Sequence, residues 1–132
     1  MKKHITNQIV DGFVGTLSTK DSFLVTTKLP HALRQAIRIN LKTLAERLEI
    51  YTDGRRDLFK GYVDNGWATA DEDGNIKFKE EFIPEINKDL YDLAQVDNEL
   101  EIATVSKDVL ESYLEKNDLT LAEEDVLLFF EE

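Results

Sequence analysis

Two histidines, His4 and His31, are the first residues to weigh for metal or acid–base chemistry. A metal site asks for further imidazoles, or for carboxylates at i, i+4 from one of them. Neither histidine has such a neighbour in sequence, so both read as surface or boundary residues. Asp71, Asp73 and Asn75 have the alternating spacing of a calcium loop, but that loop requires glycine at its sixth position and glutamate at its twelfth. Gly74 is fourth from Asp71 and Phe82 is twelfth, which leaves a solvated hairpin turn. No serine sits in a nucleophile-elbow pattern, and the absence of cysteine removes thiol nucleophiles, disulfides and zinc–thiolate sites together. Gly12-Phe13-Val14-Gly15 is too short and too apolar to cradle a phosphate. The acidic runs Glu80-Glu81, Glu123-Glu124-Asp125 and Glu131-Glu132 could serve acid–base or two-metal chemistry only if they converged in a cleft. Neighbours on a helix point apart, and acids in a first helical turn are explained by the helix dipole.

The expectation is therefore no catalytic residue, no metal ligand and no cofactor. What remains is charge arranged for a partner. Arg34, Arg38 and Lys42 are spaced i, i+4, i+8 and form a basic ridge on a helix. Such a ridge reads as a strip for an acidic partner or phosphate, as a solvated face, or as a strip paired with the acids of a helix at 80–96. It lacks the interleaved aromatics that stack on bases. The acidic counterparts are Asp71, Glu72 and Asp73 in the turn, and Glu123, Glu124 and Asp125 near the C-terminal helix. The net charge is −11, and it is uneven. Residues 1–66 hold eleven Lys and Arg against seven Asp and Glu, whereas residues 67–132 hold five against twenty. Nucleic-acid binding by the whole surface is disfavoured, because phosphate repels an acidic protein. Head-to-tail association of basic on acidic halves is allowed by the split.

The elements that must position these residues follow from periodicity. Ile5, Ile9/Val10, Phe13 and Leu17 predict a short helix over 6–17, capped by Thr6 or Asn7. Residues 18–22 are a polar break, and residues 23–27, Phe-Leu-Val-Thr-Thr, have strand propensity. Pro30 marks a helix start. Leu33, Ile37, Leu41, Leu44, Leu48 and Tyr51 then lay one apolar stripe along a long helix. Leu58, Phe59 and Tyr62 resume the spacing, so the helix continues to about residue 62 with Gly54 as a tolerated weak point. Residues 67–69 and 76–78 predict a β-hairpin around Asp71–Asn75. A second helix is expected over 80–96, with Pro84 in its first turn. Residues 100–104 predict a strand, and Ser106 caps a helix carrying Leu110 and Leu114. Thr120-Leu121-Ala122-Glu123 is a capping box that opens a last helix to about Phe130. Its apolar end, Leu127-Leu128-Phe129-Phe130, is core material or a docking patch. The fold class is mainly α with minor β. An antiparallel pair of long helices carries short terminal helices and one or two short strands or a hairpin, in one domain over 1–132.

The order of Lys28-Leu29-Pro30, the helix Leu41-Lys42-Thr43-Leu44-Ala45-Glu46-Arg47-Leu48-Glu49-Ile50-Tyr51, the turn Asp71-Glu72-Asp73-Gly74-Asn75-Ile76, the segment Glu99-Leu100-Glu101-Ile102 and the close on Leu127-Leu128-Phe129-Phe130-Glu131-Glu132 resembles a group of small proteins of unknown function from phages of Gram-positive bacteria. The resemblance covers residues 28–132. It implies a phage origin and a single small domain, and it brings no catalytic residues. Three functions follow: a non-enzymatic protein that binds a host or phage protein, an acidic mimic of nucleic acid that inhibits a host nuclease or defence complex, and an enzyme with an unrecognised site. The first is favoured. No run approaches the length of a membrane span, and the N-terminal lysines are followed by Asn7, Gln8 and Asp11, which interrupt any signal-peptide core. The expected location is the cytoplasm of the host cell, with the virion as the alternative.

Overall fold

The computed structural model describes residues 1–19 and 28–132, so the strand expected at 23–27 and most of the polar break at 18–22 lie outside the described residues. The elements are β1 (Lys2–Thr6), α1 (Asn7–Ser18), α2 (His31–Asp64), β2 (Ala68–Ala70), β3 (Ile76–Phe78), a single 3₁₀ turn (Glu80–Phe82), α3 (Ile83–Ala94), β4 (Asp97–Glu101), α4 (Lys107–Lys116) and α5 (Leu121–Phe129). The strands form two antiparallel pairs, β1 with β4 and β2 with β3. The protein is mainly α with minor β, as its sequence predicts.

Helix α2 organises everything else. Its 34 residues run about 50 Å at 1.5 Å per residue. The predicted stripe faces inward: Leu33, Ile37, Leu44 and Tyr51 are buried. Gly54 does not break the helix, and Leu93 lies beside it: a Cβ there would meet that side chain at ordinary packing distance. The helix ends at Asp64, two residues past the expected end, and Gly66 just beyond it takes φ +77°. The N–H of Trp67 then donates to the carbonyl of Tyr62 at 2.8 Å, closing the last turn around a residue type free to adopt that conformation.

Two apolar clusters lie along this helix. The larger gathers Leu33, Ala36, Ile37 and Leu44 with Val10 and Leu17 of α1, Leu100 and Ile102 of the β4 segment, and Leu110, Leu127 and Phe130 of the C-terminal helices. The smaller surrounds Tyr62, Ala68 and Ile86, with Trp67, Phe78, Phe82 and Leu90 packed on them. Within it Trp67 stacks between Phe82 (4.7 Å between centroids) and Tyr62 (5.8 Å). The terminal apolar run is core material, since Leu127 and Phe130 are fully buried while Leu128 faces outward.

Several expectations are corrected. The second long helix is short: α3 has 12 residues, so it covers only the hairpin-proximal half of α2, antiparallel to it. Tyr62 meets Asp89 and Gly54 meets Leu93, which fixes that direction. The other half of α2 is covered mainly by α1. Residues 80–82 form a 3₁₀ turn because Pro84, in the first turn of α3, has no N–H to donate back to residue 80. The hairpin pairs Ala68 with Phe78 and Ala70 with Ile76, one residue later than expected on the first strand, because Trp67 is drawn into the small core. Strand β4 is Asp97–Glu101 rather than 100–104, and its partner is β1, which the sequence does not announce. Ile5 belongs to that strand, and Asn7 is buried rather than capping; Thr6 alone caps α1, accepting from the N–H of Ile9.

Candidate functional site

The ridge Arg34, Arg38 and Lys42 is exposed on the first half of α2. None of the three forms an ion pair with a described residue. The acids of α3 lie beside Gly54 and Tyr62, three turns or more further along α2, so pairing with them is ruled out by reach. Ile39 lies beside the ridge, past Lys42 around the helix, with about half its surface in solvent (52%), and Ile50 is exposed at 61% further along. The face is therefore basic and apolar together.

Arg34 also belongs to a groove. Its Nη2 donates to the carbonyl of Leu29 at 3.3 Å, which holds the guanidinium beside the chain entering α2. Residues 28–30 and Arg34 form one wall, and Asp108, Val109, Ser112, Tyr113, Lys116 and Asn117 of the α4 region form the other, around a space of about 680 Å³. Ser106 sets the start of α4 by accepting from the N–H of Val109, so the cap fixes which side chains line the wall.

The acidic clusters do not converge with the ridge or with each other. In the hairpin, Oδ1 of Asp71 accepts from the N–H groups of Asp73 (2.9 Å) and Asn75 (2.8 Å). Gly74 takes φ +82° to close that turn. Asp71 is thus a structural residue, while Glu72 and Asp73 remain exposed at the tip. At α5 the predicted capping box forms: Oε1 of Glu123 accepts from the N–H of Thr120 (2.9 Å), and Oγ1 of Thr120 accepts from that of Glu123 (3.2 Å). Glu124 is half-buried, and Asp125 borders a small cleft of about 210 Å³ between α1 and α5 with Ile9, Gly12 and Phe13.

His4 has partners that sequence spacing could not reveal, because they lie across a strand pair. Its Nδ1 is 2.6 Å from Oδ2 of Asp97, and its Nε2 is 3.9 Å from Oε2 of Glu99. The hydrogen bond to Asp97, reinforced by the charge of that carboxylate, raises the imidazole pKa above its ordinary value. His31 stands at the start of α2 beside Gln35. Among the described residues no three His, Asp or Glu side chains are grouped to hold a metal ion. Tyr62 donates to Asp89 at 2.9 Å, and its phenol is pushed up to about 12, by burial first and then by that bond and the carboxylate charge.

Three buried asparagines, Asn7, Asn40 and Asn98, have roles that the sequence reading does not foresee. Asn40, in α2, donates to the carbonyl of Ala103 (2.8 Å) and accepts from its N–H (2.7 Å). Asn98 donates to the carbonyl of Ile5 and to Oδ1 of Asn7, and Asn7 donates to the carbonyl of Leu93. Together they tie the β1–α1 junction to the α3–β4 junction. Lys3 is the fourth such residue: its Nζ donates to the carbonyls of Phe129 and Glu131, both at 2.6 Å, where a cation suits a helix C-terminus. The only signal for Asn98 is its place in a strand whose alternate residues, Leu100 and Ile102, are apolar and buried. No helix among the described residues is long and apolar enough to cross a membrane. Compared with known proteins, the chain matches no family model, no curated protein and no solved structure.

Proposed function

We propose that this chain is a non-enzymatic binding module whose docking face is the first half of α2, and that its partner is a protein. The observation that carries the reading is the unpaired ridge. The chain has 27 acidic residues for 16 Lys and Arg, yet Arg34, Arg38 and Lys42 stand exposed without an acid of their own among the described residues. With Ile39 exposed beside them, the cations offer what a protein surface of opposite charge and some apolar character would bury. Association steered by such a face is fast at low salt and slows as salt rises.

The order of motifs over residues 28–132 supports a phage origin, which makes the partner a host or phage protein met in the host cytoplasm or in the virion. The nucleic-acid-mimic reading has less support. It needs a continuous acidic array, and the clusters at residues 71–73 and 123–125 lie on separate elements, the β2–β3 turn and α5.

Affinity capture from infected cells tests the proposal when the wild type is compared with Arg38→Glu/Lys42→Glu. Both residues are exposed, so the variant should keep the far-ultraviolet circular dichroism of the wild type. A partner retained by the wild type should fall by about tenfold or more on the variant, the equivalent of roughly 1.4 kcal/mol. An unchanged set of retained proteins would remove the ridge from the interface.

A further inference from the structure

The groove between the entry to α2 and α4 has a chemical match at the other end of the same chain. Its rim carries three cations, Lys28, Arg34 and Lys116, against one acid, Asp108. None of the cations is ion-paired with a described residue, whereas Glu111 on the neighbouring face of α4 is occupied by Lys107. Leu29 and Val109 give the groove apolar surface. The hairpin tip presents the complement. Glu72 and Asp73 are exposed there, and Ile76 lies behind them with 38% of its surface in solvent. Asp71 and Gly74 already fix the shape of the tip, so little conformational freedom is lost when it docks.

Tip and groove lie near opposite ends of α2, about 50 Å apart at 1.5 Å per residue, so one chain cannot satisfy its own groove with its own tip. We propose that the groove of one copy receives the hairpin tip of a second copy, head to tail. The proposal rests on the reading of the chain as a protein-binding module and adds the chain itself as a partner. Because the two surfaces differ and lie at opposite ends of α2, two antiparallel copies can satisfy both contacts in a closed pair, or each contact can leave a free groove and a free tip that propagate an open chain. The net charge of −11 opposes any self-association. At physiological salt that opposition decays over about 8 Å, and the charges that meet at the contact are of opposite sign. The contact is small, so its Kd falls on the order of 0.1 mM.

Sedimentation of the full chain from about 0.02 to 1 mM brackets that value. The groove variant is Lys28→Glu/Lys116→Glu and the tip variant is Glu72→Lys/Asp73→Lys. The wild type should associate as its concentration rises, and each variant alone should associate about tenfold more weakly or not at all. An equimolar mixture of the two variants should recover the association, because a basic tip then meets an acidic groove and an acidic tip meets a basic one. If a double variant fails to fold, Lys116→Glu and Asp73→Lys singly form the same cross. A wild type that stays monomeric throughout, or a mixture that does not recover association, would overturn the proposal. None of these results touches the Arg38 and Lys42 reading, whose test uses other residues.

Discussion

Asn40 is the residue whose replacement should cost most for its size. It is fully buried in α2, and both ends of its amide engage one residue, Ala103, in the segment between β4 and α4. Asn40→Leu keeps the volume and removes both hydrogen bonds, leaving an N–H and a carbonyl of Ala103 without partners. A buried group stranded in this way costs about 1–3 kcal/mol. Ala103 is half-buried, so water compensates part of the loss and the sum for both groups is about 2–4 kcal/mol. Domains are typically stable by about 5–15 kcal/mol, so the change should move a urea midpoint far with little change in slope. Asn40→Asp separates donor from acceptor. It still accepts from the N–H of Ala103, but at neutral pH it places a buried carboxylate against that residue's carbonyl. Protonation restores a donor, so the deficit relative to the wild type should shrink as pH falls. An Asn40→Leu loss under about 0.5 kcal/mol, or an Asp deficit independent of pH, would refute the account of a satisfied amide pair locking α2 to this segment.

Three further outcomes follow from the same contacts. The hydrogen bond and charge of Asp97 raise the His4 pKa in the folded chain, so the imidazolium's contribution is fully present below the ordinary value of 6.5 and is lost as pH rises through the folded pKa. Nuclear magnetic resonance titration should place His4 above 6.5, and His4→Gln should remove that portion of the pH dependence of unfolding. Lys3→Met keeps an apolar stem but loses the bonds to the carbonyls of Phe129 and Glu131, at a cost of about 1–3 kcal/mol. Its amide resonances at Val105 and Glu132, which join the C-terminal end to the β4–α4 segment, should shift or broaden. Gly54→Ala should raise the melting temperature, because the new Cβ meets Leu93 at 3.5 Å without displacing it and removes a helix penalty of about 1 kcal/mol.

What sequence shows and what it hides here divides along a physical line. Local signals are legible: the caps at Thr6, Ser106 and Thr120 and the turn at Asp71 depend on neighbours within four residues, and each forms where expected. The stripe of α2 is legible because one helix face repeats it over many turns. Strand β1 is hidden because only Ile5 among its five residues is buried; Lys2, His4 and Thr6 stand opposite Glu101, Glu99 and Asp97 across the ladder, and Lys3 reaches the C-terminal carbonyls. Asn7, Asn40 and Asn98 are hidden because asparagine ordinarily belongs to turns and caps, and their partners lie 63 or more residues away. For the candidate site, the exposure of Arg34, Arg38 and Lys42 on one face follows from their spacing. The groove beside Arg34 does not, since its second wall comes from α4.

The unequal clusters along α2 divide the cooperativity of the fold. Among the described residues, the larger contains sixteen buried apolar side chains and the smaller contains three. Regions with few buried contacts open at lower free energy than the whole. The hairpin end of α2 should therefore open as a separate unit. The amide of Lys79, bonded to Trp67, should exchange with solvent through local opening, and that of Ala103, bonded to the buried Asn40, should exchange more slowly. A ligand that grips the hairpin slows only the fast tier of exchange, and one that covers the Arg38 face leaves that tier unchanged. Hydrogen exchange thus assigns any partner to one end of a single helix before the complex is seen.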